Sequence, residues 1–170
     1  MKVLFLDIDG VLNGWPSQRT QEIMRACSEA VHNRVIFPDA LDRLVRVVRA
    51  TGCRIVLSST WRQADWRDRP GGHEWCVRYL LALHGIEVLA RTGAHQSGPH
   101  ARGQEIADWL DAFPGIDGFA IVDDCPEMLP EQQPYLVSTA CAIGMLDGHA
   151  DKLIEILGAT ERVQGAGEEG

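Results

Sequence analysis

Nowhere does this chain of 170 residues carry an apolar run near the ~20 residues that a membrane-spanning helix needs. Its five cysteines (Cys27, Cys53, Cys76, Cys125, Cys141) are odd in number and form no CxxC pair. That argues against a disulfide framework and against a structural zinc site. The six histidines show no HExxH-type spacing, so catalytic zinc is not expected either. Lysine is nearly missing: Lys2 and Lys152 are the only ones. The formal net charge is −8, so the overall field does not steer the protein toward nucleic acid. A local basic patch would still suit a phosphorylated end. The N-terminal Met-Lys-Val-Leu-Phe-Leu looks like the opening of a signal peptide, but Asp7 and Asp9 interrupt it too early. The expectation is a cytoplasmic protein with reduced thiols.

What is present reads as one globular domain, with 45% hydrophobic and 24% charged residues. Val3–Asp7 is a short apolar run ending in polar residues, the pattern of a strand buried on both faces. Further strands are predicted at Cys53–Ser58, Ile86–Leu89, Phe119–Asp123 and Tyr135–Ser138. Helices are predicted from about Thr20 to Val31, from Pro38 to a stop at Gly52, from Trp75 to His84, from Gln104 to Phe113 and from about Ala150 to Leu157. Strands alternating with helices imply a three-layer α/β sandwich around a mostly parallel, Rossmann-like sheet of about five strands. The domain is expected to cover residues 1–160. Residues 161–170, ending in Gly165-Ala-Gly-Glu-Glu-Gly170, should form a disordered tail.

Open α/β sheets build their sites at the carboxyl ends of strands. The first strand delivers Asp7, Asp9 and Gly10 there; the second delivers Ser58, Ser59 and Thr60; the fourth delivers Asp123 and Asp124. Clustered carboxylates repel one another and are costly without a cation. An all-oxygen set of this kind suits Mg²⁺.

Asp7-Ile-Asp9-Gly10-Val-Leu-Asn13, Ile55-Val-Leu-Ser58-Ser59 and Ala120-Ile-Val-Asp123-Asp124 resemble the first, second and fourth motifs of the haloacid dehalogenase-like (HAD) superfamily. Leu57-Ser-Ser-Thr-Trp-Arg62 and Arg102-Gly-Gln-Glu-Ile-Ala-Asp-Trp109 are similar to small HAD domains associated with RNA repair. The resemblance implies a phosphatase with little or no cap domain. Asp7 would attack phosphorus and form an aspartyl phosphate. Asp9 would protonate the leaving alcohol and then activate water. Ser58 would hydrogen-bond the transferring phosphoryl group. Asp7, Asp123 and Asp124, with the main-chain carbonyl of Asp9, would hold Mg²⁺. Gly10, Asn13, Ser59 and Arg62 flank these motifs as candidate substrate contacts. The superfamily's third motif usually supplies a lysine, and none lies between the second and fourth motifs here. Arg102 is the substitute the order of the chain allows.

Other readings stay open at this level. Ser58 and Ser59 could simply begin a turn. The segment Trp61–Trp75 interleaves tryptophan with arginine, which suits either a lid or a surface that stacks a base. A phosphotransferase or mutase would use the same aspartyl phosphate, and a receiver-like module would bind phosphate without turnover. The substrate expected from the resemblance is a nucleotide or a nucleic-acid terminal phosphate.

Overall fold

The computed structural model of the chain describes residues 1–14, 36–62, 73–93 and 100–164. The helix expected at Thr20–Val31, most of the Trp/Arg segment and the glycine-rich end from residue 165 lie outside the described residues. The elements are β1 (Lys2–Leu6), α1 (Pro38–Thr51), β2 (Arg54–Leu57), α2 (His73–Leu83), β3 (Val88–Arg91), α3 (Ala101–Ala112), β4 (Gly118–Asp123), β5 (Leu136–Ser138) and α4 (Asp147–Gln164). Short 3₁₀ turns occupy Thr60–Arg62 and Pro130–Tyr135.

All five strands are parallel, in the order β3-β2-β1-β4-β5. β1 is buried on both faces, which is why it reads as an unbroken apolar run. Leu4 and Leu6 join Ile55, Leu57, Ala120 and Val122 in one core with the apolar stripes of α1, α2 and α4. Val3, Phe5, Val56 and Ile121 face the other way, onto Ile106 and Trp109 of α3. The sandwich therefore has three layers, with α3 alone among the described long helices on its side. Each buried Leu, Ile, Val or Phe side chain contributes about 1.5–3 kcal/mol relative to exposure.

α1 starts as its sequence indicates, with Pro38 in the first turn and Asp39 beside it. It ends at Gly52, whose φ of 66° is left-handed and whose N–H returns to Val48. β3 begins two residues later than Ile86, where the sequence pattern put it. Gly85 turns the chain at φ 73°, and the Ile86 N–H still closes α2 by bonding Leu81 O. Ile86 is buried as the apolar contact of that helix end. α4 is longer than the predicted Ala150–Leu157, and its backbone runs to Gln164. The four described cysteines, Cys53, Cys76, Cys125 and Cys141, are free thiols. No helix among the described residues is long and apolar enough to cross a membrane.

Two features of the sheet position the site. First, β1 leads outward to β2 and β3, whereas β4 leads the opposite way to β5. The junction of β1 and β4 is thus the topological switch point, where open α/β sheets leave a crevice. Second, the ladder continues past the strand ends: Asp7 N–H donates to Val122 O, Ser58 N–H to Leu6 O and Thr92 N–H to Leu57 O. Side-chain alternation then puts Asp7, Ser58 and Asp123 on the α3 side of the carboxyl edge.

Candidate active site

The first loop explains the spacing of its two aspartates. Ile8 is fully buried in the core, so Asp7 and Asp9 on either side of it are turned toward the crevice. The N–H groups of Val11, Leu12 and Asn13 all converge on Ile8 O, which coils the loop tightly. Asn13 ties it from within: Gly10 N–H donates to Asn13 Oδ1 at 3.0 Å, and Asn13 Nδ2 donates to Asp9 Oδ1 at 2.9 Å. The amide expected to contact substrate is therefore occupied in shaping the loop. The second oxygen of Asp9 accepts the indole N–H of Trp61 at 2.9 Å.

Asp123 closes β4 and is fully buried. Its Oδ1 accepts the Cys125 N–H at 2.9 Å. Carboxylate oxygens of Asp7, Asp123 and Asp124 all lie within 4.8 Å of one another. Gly10 makes this approach possible. It sits at φ 73°, and a Cβ there would collide with the Asp124 carboxyl. Its carbonyl is held by the Thr139 hydroxyl at 2.7 Å.

Arg102, in the first turn of α3, reaches over this cluster. Its Nε lies 3.2 Å from Asp123 Oδ2 and its Nη2 3.9 Å from Asp7 Oδ1. Neither lysine is near: Lys2 begins β1 at the opposite edge of the sheet, and Lys152 pairs with Glu155 on α4. Behind Arg102 stands Glu105, a buried carboxylate that the sequence reading passed over. Its Oε2 is 3.3 Å from Arg102 and 2.6 Å from Arg62. The available signal was the i,i+3 spacing of Arg102 and Glu105, which puts the pair on one helix face.

Arg62, a candidate substrate contact, is turned into the protein. It is 8% exposed, and its fork donates to Ser58 O, Ser59 O and Gly93 O as well as pairing with Glu105. Every side of the guanidinium thus faces protein. It clamps the loop after β2 to α3. The two serines also differ from expectation. The Ser59 hydroxyl is the one that favours the charged form of Asp7, and its oxygen accepts the Trp61 N–H at 3.3 Å. Ser58 Oγ is fully buried and has no partner among the described residues. The turn Thr60–Arg62 coils the chain directly after Ser59, so strand alternation no longer governs there.

The electrostatics follow from burial. The Asp7 carboxyl is raised to about 7, first by desolvation and then by the Asp123 charge, against the pull of Arg102 and the Ser59 hydroxyl. Asp123 is raised to about 6, again chiefly by desolvation, with Arg102 and the Cys125 N–H opposing. Four buried polar atoms make no hydrogen bond among the described residues: Ser58 Oγ, Thr92 Oγ1, Arg102 Nε and Asp123 Oδ2. All belong to this carboxyl edge. A divalent cation fits such a set, because its donors are all carboxylate oxygens, they are held close, and two of them, Asp7 and Asp123, resist ionisation without added positive charge. Asp7, Asp123 and Asp124 are the side chains that would hold it. Among the described residues no cap domain covers this edge.

A family model for the HAD domain in Swiss Army Knife RNA repair proteins matches residues 3–150. No curated protein matches the chain.

Proposed function

We propose, from the premise that the chain belongs to the HAD domains of Swiss Army Knife RNA repair proteins, that it is a Mg²⁺-dependent phosphomonoesterase acting through phosphorylated Asp7. The family points to phosphoryl-transfer hydrolases in general. The observation that carries the finer reading is the close set of Asp7, Asp123 and Asp124 with the Arg102 guanidinium over it. A lone carboxylate nucleophile would need neither.

Asp7 attacks phosphorus, and the P–O bond to the leaving alcohol breaks as the Asp7–phosphorus bond forms. Asp9 gives its proton to that alcohol. It then takes a proton from the water that attacks the aspartyl phosphate, which releases inorganic phosphate and restores Asp7. Arg102 and the Ser59 hydroxyl supply donors beside the transferring group. Bound Mg²⁺ would keep Asp7 ionised and offset charge on the phosphoryl oxygens. The favoured substrate is a nucleotide or a nucleic-acid terminal phosphate, supported by the family's association with RNA repair.

The test is a panel of phosphate esters that includes terminally phosphorylated oligonucleotides. Phosphate release should require Mg²⁺, stop on chelation, and be inhibited by excess Ca²⁺, which takes more ligands and a looser geometry. Full turnover after exhaustive chelation, or no release from any ester, would overturn the reading. Gly10→Ala supplies a structural check on the same cluster. It should raise the Mg²⁺ concentration for half-maximal activity and lower stability by about 1–2 kcal/mol through its left-handed φ alone. An unchanged Mg²⁺ titration would mean that Asp124 is not a ligand.

A further inference from the structure

The general acid proposed above is held by Trp61, a residue to which the motifs assign no role. Asp9 Oδ2 accepts the Trp61 indole N–H, and Oδ1 accepts the Asn13 amide, each at 2.9 Å. These donors come from different loops, one after β1 and one after β2. Both are themselves fixed. Asn13 is tied to the Gly10 N–H. Trp61 is 6% exposed, packs in the main core, and has its main-chain N–H on Ser59 Oγ. Its neighbour Arg62 is clamped to three carbonyls and to Glu105. The indole is thus a rigid peg rather than a mobile side chain.

A carboxyl group that must protonate a leaving oxygen needs a fixed plane. Rotation about its Cβ–Cγ bond moves the proton away from that oxygen, and proton transfer is steeply sensitive to such distance. A single hydrogen bond leaves that rotation partly free, whereas donors on both oxygens stop it. Each oxygen keeps a second lone pair for the transferred proton. We propose that Trp61 is a positioning residue for proton transfer by Asp9, acting through its indole N–H. Of the two readings of the Trp61–Trp75 segment, the burial of this tryptophan fits packing on the core rather than stacking on a base. This inference rests on the proposed role of Asp9.

A buried indole N–H needs some acceptor in any fold, so the test must separate aim from packing. Trp61→Phe removes the N–H and keeps an aromatic ring. Kinetics are read as kcat/KM, which reports the step that expels the leaving group, on two esters: 4-nitrophenyl phosphate and the best alkyl ester of the panel. Nitrophenolate leaves without a proton, whereas an alkoxide does not. Since general acid catalysis is worth ~10²- to 10⁴-fold, the variant should lose ~10- to 100-fold on the alkyl ester and less than about threefold on the nitrophenyl ester. Asp9→Asn, measured alongside, should show the same selectivity more strongly. Equal losses on both esters, or no loss on either, would overturn the role of Trp61 while leaving that of Asp9 intact. Absence of selectivity in Asp9→Asn would remove the acid assignment, and the inference with it. If Trp61→Phe does not fold, site-specific benzothienylalanine at position 61 keeps the ring shape, lacks the N–H, and is held to the same criteria.

Discussion

Asp7→Asn is expected to lower phosphate release by a factor on the order of 10⁴ to 10⁶, the usual result of removing a covalent nucleophile. The same variant should be more stable than the parent protein at pH 8 without metal, and the advantage should be smaller at pH 5 and gone below about pH 4. The two halves have one cause. Asp7 is raised to about 7 in the folded protein, by burial first and by Asp123 second, whereas in the unfolded chain it titrates near ~4. Between those values the folded state keeps a proton that the unfolded state has released. Stability is therefore highest below about pH 4, falls as pH rises toward about 7, and is level above it. Asp123, raised to about 6, acts in the same direction. The loss attributable to Asp7 is about 2–4 kcal/mol. An amide has no proton to lose, so the variant escapes this decline. Urea unfolding at the two pH values in the presence of a chelator measures it. Turnover within tenfold of the parent, in protein free of deamidation, would sink the nucleophile assignment. An equal stability change at both pH values would mean that the Asp7 carboxylate is not strained by its site.

Arg62→Ala should cost about 3–5 kcal/mol of stability, the usual effect of breaking a buried ion pair by removing one partner. It would strip the Ser58, Ser59 and Gly93 carbonyls of their donor and leave Glu105 with Arg102 as its cation. Arg62→Lys should recover little, because one ammonium cannot span those directions as a planar fork does. Arg102→Ala should instead lower turnover about 10²- to 10³-fold, as expected for a donor aimed at developing charge. Arg102→Lys should restore part of that. Chemical unfolding and initial rates on the same four variants decide the matter. If Arg62→Ala keeps its unfolding midpoint and only raises KM, Arg62 binds substrate after all, and the clamp described here carries no weight in the fold.

Much of this protein is written locally. The strand at Val3–Leu6 is legible because a doubly buried parallel strand has to be apolar throughout. α1 is legible because Pro38 and Gly52 have backbone preferences that need no tertiary partner. The meeting of Asp7, Asp123 and Asp124 also follows from sequence order, since parallel strands all end at the same edge. Other features depended on groups far apart in the chain. The start of β3 was set by how α2 closes on Ile86, which competes with strand propensity and wins. The Ser59 hydroxyl acts on the Asp7 charge, because the turn after β2 breaks the alternation that a strand would have kept. The division of labour between Arg62 and Arg102 is the clearest case. Chain order sets Arg102 between the second and fourth motifs, but no pattern marks Arg62 as a clamp rather than a substrate contact. Only the packing of α3 against the loop after β2 places Glu105 between them, so that one guanidinium is used up on backbone carbonyls while the other is left facing the aspartates. Charge pairing acts through space and ignores sequence separation, and for that reason it was decided by the tertiary structure alone.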